Sequence, residues 1–201
     1  MRRLVLLIFS LGVCGCGGPT SPTDVAFVRY TLPVNLSEID PASPLKLWAY
    51  GVQGGSHPNG HPGIDFFLVV GGSVLADQKG TIIDVAHSVS PGEIGITLRH
   101  DDGWKSYFTG YYTSVAVSKG QSVSQGQVLG RIARFGLSGD DFASFHWGIA
   151  RDNSSEQVSC PVEFVSSDTK ATMQKLLDES TYVEKARFPL LCNPCPAGGC
   201  R

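Results

Sequence analysis

The sequence predicts a mostly β protein: a single antiparallel domain of sandwich or barrel-like form, followed by a short C-terminal helix and a cysteine-rich tail. Three observations predict it. The 201 residues include 24 glycines and 12 prolines, which punctuate the chain too often for long helices. Apolar runs of strand length recur along it, and nearly every connection carries Gly, Pro or Asp-Gly, as at Pro91-Gly92 and Asp102-Gly103. Helical periodicity is confined to a stretch near the C-terminus, so the pattern is not that of βαβ units.

Taken in order, the chain opens on an export signal. Arg2-Arg3 is a short positive region, and Leu4 to Val13 is an apolar core too short to span a bilayer. Residues 17–23, Gly-Gly-Pro-Thr-Ser-Pro-Thr, form a flexible tether. Strands are predicted at residues 25–32 and 45–49, separated by a turn at 41–44 with Pro41 and Pro44. Residues 51–60 hold four glycines and Pro58, which makes them a loop; His57 and Asn59 lie on it, facing solvent or capping the segment after it. After the apolar run 66–70, further strands are predicted at 73–76, 80–89, 95–100, 104–112, 127–132 and 145–150. Ser167 or Asp168 caps a helix whose Met173, Leu176 and Leu177 share a face, ending near Thr181 or running raggedly to Ala186. The resulting division is 1–15 signal, 16–24 N-terminus and tether, 25–165 β domain, and 166–201 helix and tail.

Charge narrows the partners. The net charge is −2, and removing residues 1–15 takes away Arg2 and Arg3, leaving acidic groups further ahead. That balance gives no reason to expect nucleic acid, and no basic patch for an anionic polymer.

The chemistry concentrates at His61-Pro62-Gly63-Ile64-Asp65. Pro-Gly argues against a helix there, and a bend feeding a strand can fold the imidazole back towards the carboxylate. Zinc takes ligand atoms at about 2.0–2.2 Å, with three from protein in catalytic sites. The third is expected from Ser144-Phe145-His146-Trp147, an alternating run that puts Ser144 and His146 on one face.

His61-x-x-x-Asp65-Phe66 followed much later by Ser144-x-His146 resembles the lysostaphin-type zinc metalloendopeptidases of bacterial cell walls. Flanking segments at 71–76, 80–83 and 117–130 agree in order and spacing, and the resemblance covers residues 50–165. The Lys-Gly-x-x-Val text at 119–123 also occurs in lipoyl-type carrier domains, but no lysine sits at a hairpin tip suited to attachment. What the resemblance implies is one Zn2+ held by His61, Asp65 and His146. It also implies two further histidines beside the reacting groups, and here the chain departs. Counting back from 117–120 puts Tyr111 at one of those positions, or Thr109 if Tyr107 is the anchor, and Ser144 stands at the other. None normally titrates near neutral pH. Another residue could substitute: His100 lies at a predicted strand end and His87 at an exposed edge, and Tyr111 is the best candidate, because its phenol could reach an oxyanion as a neutral donor.

Val13-Cys14-Gly15-Cys16 resembles a bacterial lipobox, with cleavage before Cys16 and acylation of it, palmitate included. The alternative is an ordinary secretory signal with two incidental cysteines. Cys160, Cys192, Cys195 and Cys200 remain, and an exported setting favours disulfides over a second metal site, with three pairings open. The expectation is therefore an exported lipoprotein of the bacterial cell envelope, held on a membrane by its N-terminal lipid. Its partners would be peptidoglycan peptides or a cell-wall hydrolase, which it binds without cutting. An active zinc peptidase is one alternative, and a scaffold or sensor that does not use the groove is another.

Overall fold

The structure is a computed structural model that describes residues 30–54, 57–88, 90–134, 143–153 and 158–200. The export signal, Cys16, the tether and residues 25–29 of the predicted 25–32 strand lie outside the described residues. Tyr30 makes a single parallel bridge to Val165. Among the described residues no helix is long and apolar enough to cross a membrane.

Eleven strands are described: β1 (Leu47–Trp48), β2 (Ile64–Leu68), β3 (Ser73–Leu75), β4 (Gly80–His87), β5 (Ile94–Arg99), β6 (Trp104–Gly110), β7 (Tyr112–Val115), β8 (Ser122–Val123), β9 (Val128–Ile132), β10 (Ala143–Arg151) and β11 (Val158–Ser159). The helix α1 spans Ser167–Glu179. The larger sheet runs β1-β2-β10-β6-β5-β4-β8, with β11 also on β10, and the smaller runs β3-β9-β7. Every pairing between named strands is antiparallel.

Period-two alternation decides what each face of the larger sheet carries. Phe145, Trp147 and Ile149 of β10, Ile64, Phe66 and Leu68 of β2, and Ile96 and Leu98 of β5 are buried inward. Val74, Leu129 and Ile132 of the smaller sheet join the same core, which closes the sandwich. Ser144, His146 and Asp65 fall on the opposite face, where the site lies.

The predicted strand 104–112 is two strands in different sheets. Gly110 lies against β10 so tightly that a Cβ would sit 3.0 Å from the Cβ of Phe145 and the carbonyl of Ser144. The Tyr112 ring then lies over Gly130 of the smaller sheet, where a Cβ would be 2.6 Å from it. Strands β8 and β11, two residues each, carried no periodic signal. The helix cap is Ser166, one residue before the expected Ser167 or Asp168: its Oγ accepts from Thr169 N at 3.2 Å. Met173, Leu176 and Leu177 are buried as expected. Just past the helix, the buried Ser180 hydroxyl accepts from the amides of Lys46 and Leu47, each at 3.0 Å, which pins the start of β1.

Candidate metal centre

Two backbone bonds fix His61 before its side chain does anything. Its amide donates to Val52 at 2.9 Å, and its carbonyl accepts from Gly51 N at 2.9 Å. The bend at Pro62-Gly63 then delivers the chain into β2 with Asp65 facing back. His61 Nδ1 donates to the Ala49 carbonyl at 3.1 Å, so Nε2 carries the lone pair. That Nε2 lies 3.0 Å from Asp65 Oδ1 and 3.0 Å from His146 Nδ1, and His146 Nδ1 lies 2.9 Å from the same oxygen. The three residues that the sequence singled out thus converge on one point, and among the described residues they are the one His/Cys/Asp/Glu group able to hold a metal.

Their chemistry fits a cation. A lone pair on His61 and a carboxylate oxygen face one another with only the His146 nitrogen for company, a repulsive arrangement unless positive charge sits between them. Burial pushes the Asp65 carboxyl up, but the two histidines beside it, His61 ahead of His146, outweigh it and hold the group well below the usual carboxylate range. Two imidazoles and a carboxylate are the donor types that zinc takes. His61 is fully buried, while Asp65 and His146 keep 17% and 24% of their side chains exposed, so the cluster opens to one side only.

Strand register sets what stands beside it. Trp48, Asp65, His146, Thr109, Gly95 and Ala86 form one row across β1, β2, β10, β6, β5 and β4. Thr109 is therefore the side chain next to His146 on β6. Tyr111 lies one residue past β6: its carbonyl accepts from Ala133 N at 2.6 Å, and its ring lies by Gly92. Ser144 shares the site face of β10, two residues from His146. Glycine at 63 is what leaves room for His146, because a Cβ there would lie 2.4 Å from Cε1 of that ring.

Other residues acquire roles that spacing did not reveal. Trp48 stacks on His61 with ring centroids 4.8 Å apart. His57, for which solvent exposure was the favoured expectation, is instead half-buried against both: its ring centre is 4.8 Å from that of His61 and 5.5 Å from that of Trp48. Burial, and then the neighbouring His61, push its imidazole down to about 4. His87 is exposed at the end of β4. His100 is buried elsewhere, with Nδ1 donating to the Lys79 carbonyl and Nε2 2.8 Å from Ser106 Oγ. Asp77 completes that network, accepting from Ser106 Oγ and from Trp147 Nε1 beneath the site.

A two-sheet β domain with two imidazoles and a carboxylate converging on its open face defines a metallopeptidase-like protein. Residues 59–158 match Peptidase family M23, and the chain belongs to that family through this domain. Lysostaphin from Staphylococcus simulans is similar in structure at 25% identity and a TM-score of 0.50, over 61% of this chain and 49% of that one. Its catalytic domain alone is similar at 25% identity and a TM-score of 0.50, over 60% of this chain and 91% of that one. A zinc containing peptidase from Vibrio cholerae is similar at 19% identity and a TM-score of 0.49, over 62% of this chain and 37% of that one. The chain thus spans about half the length of full lysostaphin. No curated protein sequence matches it.

The four cysteines of the C-terminal part pair as Cys160–Cys192 and Cys195–Cys200. Of the three possible pairings this is the one adopted, and it ties Cys160 to the tail.

Proposed function

We propose that this protein is a lipid-anchored component of the bacterial cell envelope. On this reading its M23 domain holds zinc through His61, Asp65 and His146 and binds peptidoglycan peptides, or a hydrolase acting on them, without efficient cleavage. When bound, zinc polarises a carbonyl and activates water. The chain's own residues supply the rest. Ala49 fixes the His61 tautomer, Trp48 stacks on that ring, and Thr109, Gly95 and Ala86 continue the row across the sheet.

One observation carries the non-catalytic reading: the neighbours of the ligands on the open face are hydroxyls. Thr109 stands beside His146 by register, and Ser144 shares its strand face. A positioned acid or base is worth about 10²–10⁴-fold in rate, and an oxyanion donor about 10²–10³-fold. Hydroxyls can donate to a bound carbonyl but do not take a proton near neutral pH. The opposing reading, a working hydrolase, is favoured by the neutral imidazole of His57 against His61.

The test measures zinc content and the release of new amino groups from cell-wall peptides by the purified protein. One zinc per chain, lost in His61→Ala, with binding of wall peptides and no amino-group release above that variant, is the expected outcome. Sustained release that disappears in His61→Ala would show a working hydrolase.

A further inference from the structure

The match to the family ends at residue 158, yet the chain runs on to residue 201 and comes back to the metal motif. Tyr50 N donates to Leu191 O at 3.1 Å, Asn193 N donates to Tyr50 O at 3.0 Å, and Tyr50 and Cys192 form a parallel bridge. The tail therefore lies along residues 50–51, the segment next to which His61 is hydrogen-bonded. Gly51 has no room for a side chain, because a Cβ would fall 2.2 Å from the Asn193 carbonyl.

Beyond Asn193 the chain closes the small Cys195–Cys200 loop, five residues in separation. The closing residues press on the two positions just before His61. Cys200 N donates to the Asn59 carbonyl at 2.7 Å. A Cβ on Gly60 would lie 2.6 Å from Cys200 Sγ, and one on Gly199 would lie 2.0 Å from Asn59 O. Cys200 is 4% exposed and adopts a positive φ of 56°, unfavourable for a side chain and held by the ring it closes. Asn59-Gly60 is thus wedged between tail and segment 51–52, with His61 as the next residue.

We propose that the Cys195–Cys200 loop is a positioning device for the metal centre: it fixes Asn59-Gly60 and, through them, the imidazole of His61. A loop this short closes little of the unfolded chain, so its bond acts on what it touches rather than on the whole fold. The Cys160–Cys192 bond, with a separation of 32 residues, ties the tail to the domain independently. Partners that orient a metal-bound histidine typically set affinity by about 10–100-fold. The inference rests on the zinc reading above, but its effect on the loop does not require the metal.

The experiment compares the wild type with Cys195→Ser/Cys200→Ser and with Gly199→Ala, which keeps both disulfides and drives a methyl into Asn59 O. Zinc affinity is read by chelator competition, and amide hydrogen exchange by residue in the metal-free protein. The expected result is zinc binding weakened by about 10–100-fold in both variants. Faster exchange at Gly60 and His61, with exchange in β6 and β10 unchanged, accompanies it. Wild-type exchange at residues 57–61 in Gly199→Ala overturns the proposal, as does faster exchange with unaltered zinc affinity. If the wild type takes up no zinc, the zinc reading falls and exchange alone decides the clamp. If the double cysteine variant fails to fold, Gly199→Ala decides.

Discussion

Replacing Gly63 with alanine tests whether the His146 ring must sit where the structure puts it. The added Cβ would lie 2.4 Å from His146 Cε1, 2.5 Å from Nε2 and 2.5 Å from the carbonyl of Trp147. No positive φ is recorded at residue 63, so alanine strains the position through contacts alone. Ordinary carbon contacts need about 1 Å more, and the imidazole is the softer of the two neighbours. Metal sites tolerate about 0.2 Å in ligand distance, so a displacement of that size removes His146 as a ligand. Zinc affinity should fall by at least ~100-fold, which is about 2.7 kcal/mol. Overpacking should lower the stability of the metal-free protein by about 1–3 kcal/mol, and the melting midpoint by about 2–12 °C. Gly95→Ala is the matched control, since its Cβ would meet nothing closer than Thr109 Oγ1 at 3.7 Å. Chelator competition and thermal melts read both variants. If Gly63→Ala binds zinc within about threefold of the wild type while Gly95→Ala does the same, His146 is not held by this contact and the reasoning fails.

Two further predictions use the side chains around the site. Asp77→Ala leaves the buried Trp147 N–H and Ser106 hydroxyl without their acceptor, and should lower stability by about 2–4 kcal/mol in denaturant melts. Burial pushes the Asp77 carboxyl above its ordinary 3.8 against the pull of His100, so the folded chain keeps this proton at higher pH than the unfolded one. The group's contribution is present below 3.8 and lost as pH rises through its folded value, a slope that Asp77→Asn removes in midpoints followed against pH. Thr109→His with Ser144→His places imidazoles next to His146 and along its strand, and should bring amino-group release up by at least ~10²-fold over the wild-type background. No gain, with zinc still bound, would mean that the open face lacks more than proton handling.

The candidate metal-binding cluster was legible because its pattern is local. His61 and Asp65 flank a bend whose Pro-Gly excludes a helix, and β10 alternates cleanly enough to show that His146 faces away from Trp147. What stands beside them was not legible, because register decides it. Counting back from 117–120 points to Tyr111 ahead of Thr109, and only pairing with β10 puts Thr109 next to His146. The single predicted strand at 104–112 hid the break at Gly110 for the same reason: the close approach of Phe145 is a tertiary fact. Ser166, Ser167 and Asp168 are consecutive cap formers, and local propensity cannot choose among them. His57 read as a loop residue because its neighbours are Gly and Pro; its burial comes from Trp48, which pairs with Asp65 through a two-residue strand. The tail's return to Asn59 had no signal beyond the cysteines, which left the pairing open.

Holding a metal and turning over a substrate depend here on different kinds of contact. The ligand geometry is built from backbone: the Ala49 carbonyl on His61 Nδ1, the pairing of His61 with residues 51–52, and a glycine where the His146 ring must pass. Such contacts persist whatever side chains line the open face. Proton handling, by contrast, rests on side-chain identity at one or two positions, and its effect is expressed only in the transition state. A change from imidazole to hydroxyl at Thr109 or Ser144 therefore leaves the donor cluster, the core beneath it and the affinity for a ground-state peptide nearly untouched. The same change removes orders of magnitude from the rate. On the function proposed above, a domain that keeps the first set and lacks the second binds a peptide without turning it over.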